Sequence, residues 1–228
     1  MAEALLIPYS LSIRITTDGF SFTLEQNQET ILKRRVYCPD TMLSEKLLEE
    51  FQQQNLLGKQ FEHTKITLHS KSQAVPDELY RKEDEAVWFT SLHPTKRIQD
   101  IVLTSQYIPE FGCHNIFAIP KTLHDTLHNA LGDNIIYQHV TSELIQALLN
   151  QKNKCMAIYQ QQNGIDMVVV ENGTLVLTNH FPTQTETDIA YWVLNAMEQL
   201  KLPTSLNSVL ILPENTPALN NLLQKLLS

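Results

Sequence analysis

Long apolar runs are missing from this chain. The longest extend over only a few residues, against the roughly 20 that a membrane-spanning helix needs, so no membrane insertion is expected. Cysteine is sparse as well. Cys38, Cys113 and Cys155 are scattered without a C-x-x-C pair, which fits reduced, buried thiols better than a disulfide framework or a thiolate zinc site. Charge is thin at 18% of residues, where soluble domains carry about 25%, and positive charge is thinner still. A formal net charge of −8 argues against a broad phosphate-binding surface, so nucleic acid is not an expected partner. The densest basic stretch, Lys33-Arg34-Arg35, alternates faces in a strand and reads as a solvated edge. The first ten residues, MAEALLIPYS, have neither the basic start nor the sustained apolar stretch of a secretory signal, and a cytoplasmic address is expected.

What is present suffices for a core. Hydrophobic residues make up 43% of 228, enough for one large or two modest domains. The clearest pattern is residues 154–181, where three apolar, β-branched runs are joined by Asn163-Gly164 and Asn172-Gly173. Asn-Gly pairs favour type I′ turns, so a three-stranded antiparallel meander is predicted. A helix over 186–201, a strand over 207–212 and a final helix with Thr216 as N-cap and Pro217 at its first position follow.

The N-terminal part has the same order. Leu11, Ile13 and Ile15 alternate with polar residues, and Asp18-Gly19 turns the chain into Phe20, Phe22 and Leu24. A third strand over 30–38 leads to a helix with Leu43, Leu47 and Phe51 on one face, and a strand over 65–69 comes next. A helix over about 77–90, opened by Pro76, is predicted, then extended runs over 100–108 and 114–119. Pro120 starts a helix with Leu123, Leu127, Ala130 and Leu131 on one face, and Gly132 stops it. A short strand over 134–138 and a helix capped by Thr141 or Ser142 complete the middle. Asp18-Gly19 and Asn163-Gly164 lie nearly the same distance apart as Thr30 and Thr174, and the register holds over about seventy residues. We read an internal duplication of a β-β-β-α-β-α unit, with lobes at residues 1–133 and 134–228.

This duplicated unit resembles the actin-like ATPase superfamily, an α/β fold of mixed sheets with two ribonuclease-H-like lobes that close on a nucleotide. The passage Asn115-Ile116-Phe117-Ala118-Ile119-Pro120, Gly132, Ile135-Ile136 and Ser142-Glu143-Leu144 looks like the segment between lobes in chaperone-type and pilus-assembly-type members. More closely, Leu11-Ser12-Ile13-Arg14 with Asp18-Gly19-Phe20-Ser21-Phe22, and Asn172-Gly173-Thr174-Leu175 through Thr178-Asn179-His180-Phe181, Asp188 and Tyr191, resemble a bacterial family of uncharacterised function with an actin-like fold. That resemblance spans nearly the whole chain and implies a fold without implying a role.

In active members of the superfamily the first hairpin of each lobe carries Asp-x-Gly, whose carboxylate holds magnesium and whose glycine admits phosphate to the backbone amides. Here Arg14 and Thr16 fall at those positions in the first lobe, and Tyr159 and Gln161 in the second. The paired glycines of the adenosine side are absent from Leu212-Pro213-Glu214-Asn215. A shifted register could restore Asp18 or Asp166, although Asp18 is explained by turn chemistry. The expectation is therefore a pseudoenzyme with no catalytic residue, cofactor or resident metal, serving as a protein-interaction module. A divergent ATP-binding ATPase with shifted motifs is the alternative. The cleft between lobes, around Arg14, Thr16, Thr17, Gln161 and Asn163, is the candidate site for a small anion or a peptide, through Arg14 and hairpin amides. Arg14 paired with an acidic neighbour is the bland reading of the same residue.

Rival constellations are weaker. His124 and His128 stand at i and i+4 beside Asp125, a metal-ligand spacing without an evident third ligand. A two-metal nuclease lacks the acidic residues in strands 11–15 and 65–69 that it requires. Cys113 and His114, adjacent in an extended run, point to opposite faces and cannot pair as nucleophile and base. Trp88 and Trp192 fall in amphipathic helices, where core packing explains them.

Overall fold

The structure, a computed structural model, describes residues 9–59, 61–95, 97–151, 153–213 and 217–227. The expected cap at Thr216 and the positions Glu214 and Asn215 lie outside them, as does most of the N-terminal decapeptide.

Strands β1 (Tyr9–Thr16), β2 (Gly19–Gln26) and β3 (Glu29–Tyr37) form the first meander. Alternation does the sorting: Leu11, Ile13 and Ile15 face inward with Phe20, Phe22 and Leu24 from β2. Helix α1 (Leu43–Gln53) lays Leu43, Leu47 and Phe51 on this face, and the Phe51 ring meets Phe22 edge-on at 5.7 Å. Strand β4 (His63–Leu68) runs parallel to β1. Gly19 has no substitute here, because a Cβ on it would sit 2.1 Å from the Val36 carbonyl of the neighbouring strand. Arg34 and Arg35 do face opposite ways: Arg34 approaches Glu50 of α1, while Arg35 pairs with Asp18 at 2.5 Å.

A three-stranded sheet then follows. It comprises β5 (Ser72–Pro76), β6 (Ile101–Ile108) and β7 (Cys113–Pro120) in the order β5-β7-β6. Its helix α2 (Glu85–Leu92) is shorter than the sequence suggests. Residues 77–79 and 82–84 are isolated 3₁₀ turns, with Tyr80 and Arg81 extended between them. Pairing decides the difference, since the Tyr80 hydroxyl reaches both Glu85 at 2.6 Å and Ser105 of β6 at 2.9 Å. Strand β5, unforeseen in the sequence, pairs antiparallel with β7.

Helix α3 (Lys121–Leu131) returns the chain to β8 (Ile135–His139). The expected division at 133/134 puts β8 in the C-terminal half, yet β8 bonds in parallel to β4 and completes a sheet of order β3-β2-β1-β4-β8. Helix α4 (Val140–Leu149) starts at the next residue. Its N-cap is His139, whose ring accepts from the Thr141 amide, in place of Thr141 or Ser142.

Strands β9 (Met156–Gln160), β10 (Gly164–Glu171) and β11 (Thr174–Pro182) form the second meander, with α5 (Glu186–Gln199), β12 (Val209–Leu212) and α6 (Pro217–Leu226) after it. The order β11-β10-β9-β12 repeats the first four positions of the other sheet. Asn172 and Gly173 both have positive φ, 50° and 76°, as a type I′ turn requires. Gly164 differs: it starts β10, and a Cβ there would lie 2.7 Å from the His180 ring. The apolar side of α4, Val140, Leu144, Ile145 and Leu148, packs with Ala157 and Val168 of the second sheet.

Helix α5 is set by a capping box between Thr185 and Asp188. Replacing Thr185 with Ala removes one of its two hydrogen bonds and is expected to cost about 1 kcal/mol, read as a lower urea midpoint at unchanged slope.

Candidate functional site

Alternation along β1 sends Ser12 and Arg14 to the face opposite Leu11, Ile13 and Ile15. That face receives the start of α4, which brings Glu143. Arg14 Nη2 donates to Glu143 Oε2 at 2.5 Å, and the guanidinium lies 5.1 Å from the Tyr159 ring centroid of β9. Glu143 Oε1 accepts from Thr67 Oγ1 at 2.9 Å and Gln138 Nε2 at 2.7 Å. Burial alone would push the Glu143 carboxyl up, but the charge and hydrogen bond of Arg14 bring it below its ordinary value.

One residue beyond β4, His69 is held by its amide to the Ile15 carbonyl at 3.0 Å. Arg14 Nη1 lies 3.1 Å from His69 Nε2, and His69 Nδ1 lies 2.7 Å from Asp166 Oδ2 of β10. Arginine can only donate, so Nε2 accepts, and the His69 proton sits on Nδ1 and points at Asp166. Asp166 also accepts from Gln161 Nε2 at 2.6 Å and from His180 Nδ1 at 2.9 Å. Its carboxylate, 3% exposed, thus meets three donors. Burial opposes its ionisation, yet the bonds from His180 and His69 hold it far below the usual carboxylate range. Burial keeps His69 neutral by pushing its pKa down, and the nearby Arg14 charge adds to that.

Between the two first hairpins, Gln161 Oε1 accepts from both the amide and the hydroxyl of Thr17, each at 3.3 Å. Arg14, Thr17 and Gln161 therefore converge on one cross-sheet network. Thr16, although buried, turns its hydroxyl to Asp18 at 2.7 Å and the Gly19 carbonyl at 3.1 Å. The Asn163 side chain is exposed, and its carbonyl accepts from the Thr183 amide at 3.3 Å. The groups expected to receive an anion, the Arg14 guanidinium and the Thr17 amide, are engaged within the protein.

His69, Glu143 and His180 were not read as site residues from the sequence, and Asp166 entered only as a carboxylate that a shifted register could restore. Asp166 did leave a signal, as the one carboxylate within the apolar run Ile165–Val170. Asp18 is bonded by Thr16 and by Arg35 at 2.5 Å, in keeping with turn chemistry. His124 and His128 rings lie 4.3 Å apart, with their Nδ1 atoms on Asp125 and Asp133. His114 bonds Asp77. Among the described residues no group of three or more His, Cys, Asp and Glu could hold a metal ion.

A family model described as "Protein of unknown function (DUF3822)" matches residues 6–227. The chain belongs to this family. Among solved structures, the DUF3822 chain is similar to a protein from Bacteroides thetaiotaomicron VPI-5482 described as having an actin-like ATPase fold and unknown function. The TM-score is 0.78 at 22% identity, over 96% of this chain and 88% of that one. It is also similar to a chain of the PilM-PilN type IV pilus biogenesis complex, with a TM-score of 0.56 at 11% identity over 96% and 85% of the two chains. No curated protein matches in sequence. The fold is that of the actin-like ATPases, and at these identities the likeness reaches no further. No helix among the described residues is long and apolar enough to cross a membrane.

Proposed function

We propose that this protein is a non-catalytic, cytoplasmic member of the actin-like fold that has lost nucleotide hydrolysis and uses its two-lobed frame to bind another protein. One observation carries the reading. The Thr17 amide, at the hairpin where a phosphate would be cradled, is bonded instead by the Gln161 side chain of the opposite hairpin. The surrounding residues do not fit a magnesium nucleotide either. Arg14 and Tyr159 stand where the superfamily pattern has carboxylates, and the acids of the network, Asp166 and Glu143, each already meet three donors. Hydrogen bonds of His69 and Gln161 link the two sheets directly, without a ligand between them. An interaction role is supported by the PilM-PilN neighbour, which is described as part of a complex.

Thermal unfolding with ATP and magnesium tests the loss of nucleotide binding. A ligand at 100 times its dissociation constant adds about 2.7 kcal/mol, or roughly 5 to 10 °C in a chain of this length. The expected result is no saturable rise. A saturable rise would overturn the proposal.

A further inference from the structure

A cavity of about 520 Å³ borders the cross-sheet network, with Thr17, His69 and His180 in its wall, between the C-terminal ends of β1 and β4 and the inserted sheet. Pockets that enclose small organic molecules span about 300–1,000 Å³. Most of the wall is apolar, built by Leu43, Leu68, Phe89, Ile101 and Leu123. One end is different. Ser70, Lys71, His93 and His180 line it, and the same four residues line a second recess of about 420 Å³ on the other side.

Those four residues bring a cation, two imidazoles and a hydroxyl to one spot on an acidic protein. Among the described residues the Lys71 ammonium makes no hydrogen bond or ion pair, and the buried Ser70 Oγ finds no protein partner. His180 is anchored through Nδ1 to Asp166, which orients its ring. His93 is fixed by Nε2 against the Ser72 carbonyl at 2.9 Å and by its ring against Phe89, 4.9 Å between centroids. Carboxylates offer little competition there. Asp166 behind His180 is already met by three donors, and Asp40, in the turn just before α1, is the single carboxylate among the described residues lining the cavity.

We propose that this cavity is a binding site for a small organic acid, with an aromatic or aliphatic body against Leu43, Phe89, Ile101 and Leu123 and its anionic group at Ser70, Lys71 and His180. The inference does not depend on the loss of nucleotide hydrolysis, because it uses the apolar wall and the Ser70, Lys71 and His180 end of the cavity and not the Thr17 amide that argues for that loss.

The probe is 1-anilinonaphthalene-8-sulfonate, an aromatic body with one anionic group, titrated by fluorescence into the folded full chain. N-phenyl-1-naphthylamine, the same body without charge, is the control. The expected result is one saturable sulfonate site, displaced by octanoate, and weaker binding of the neutral control. Lys71→Ala should weaken the sulfonate about fivefold to tenfold, the size of one charged contact, and leave the control unchanged. Ala118→Phe, which fills the cavity from β7, should abolish both. If Ala118→Phe does not fold, the Lys71→Ala comparison and octanoate displacement still decide. No saturable sulfonate binding, equal sulfonate binding by Lys71→Ala, or undiminished binding by a folded Ala118→Phe would each overturn the proposal.

Discussion

Lowering the pH from about 7 to about 4 is expected to remove roughly 3 kcal/mol of stability through His139 alone. This imidazole is 2% exposed, and burial pushes its pKa down from 6.5 to about 4. Its tautomer is fixed from both sides. The Thr141 amide donates to Nδ1 at 3.2 Å, so the proton sits on Nε2 and is given to the Ser70 carbonyl at 2.9 Å. A second proton on Nδ1 would face another N–H. The unfolded chain binds that proton below about 6.5 and the native state does so only near 4, so stability is full above the first value and falls toward the second. His69, also held neutral by burial, steepens the fall in the same direction. Asp166, whose pKa is lowered, adds to the loss at the acid end. Urea midpoints across this range measure the effect, and His139→Gln should flatten the curve by about one proton. A midpoint that stays constant between pH 7 and 5 would contradict it.

Asp166→Ala carries a comparable cost, about 3–5 kcal/mol, because removing one partner of a buried charged network strands the others. The His69 Nδ1 proton and the Gln161 amide would point into an empty space, and the two sheets would lose their shared acceptor. Asp166→Asn preserves the volume and one acceptor oxygen but turns an amide toward a donor, so an intermediate loss of about 1–3 kcal/mol is expected. Equilibrium unfolding in urea gives both values. A loss below about 1 kcal/mol for the alanine variant would show that the network is not what holds the sheets together.

Much of the fold was legible because it is written in periodicity. Leu11, Ile13 and Ile15 are inward because a strand alternates, and Asn172-Gly173 turns because both residues tolerate positive φ. The inserted sheet was harder. The sequence 77–90 has helical composition, but Tyr80 gains two hydrogen bonds by staying extended, and tertiary partners overrode local propensity. Gly164 was read as a turn glycine, while its role is to let the His180 ring approach. The candidate cleft was found in part: Arg14, Thr17 and Gln161 follow from their places on the two first hairpins. His69, Glu143 and His180 come from the end of β4, from α4 and from β11, and only the folded chain brings them to one point.

His139 is at once the last residue of β8 and the N-cap of α4. The strand is bonded into the first sheet, while the helix packs its apolar side on the second and sends Glu143 back to the first. No spare residue separates them, so on this path the molecule has no slack joint. The direction in which α4 leaves the sheet is therefore tied to the buried ring that ends β8.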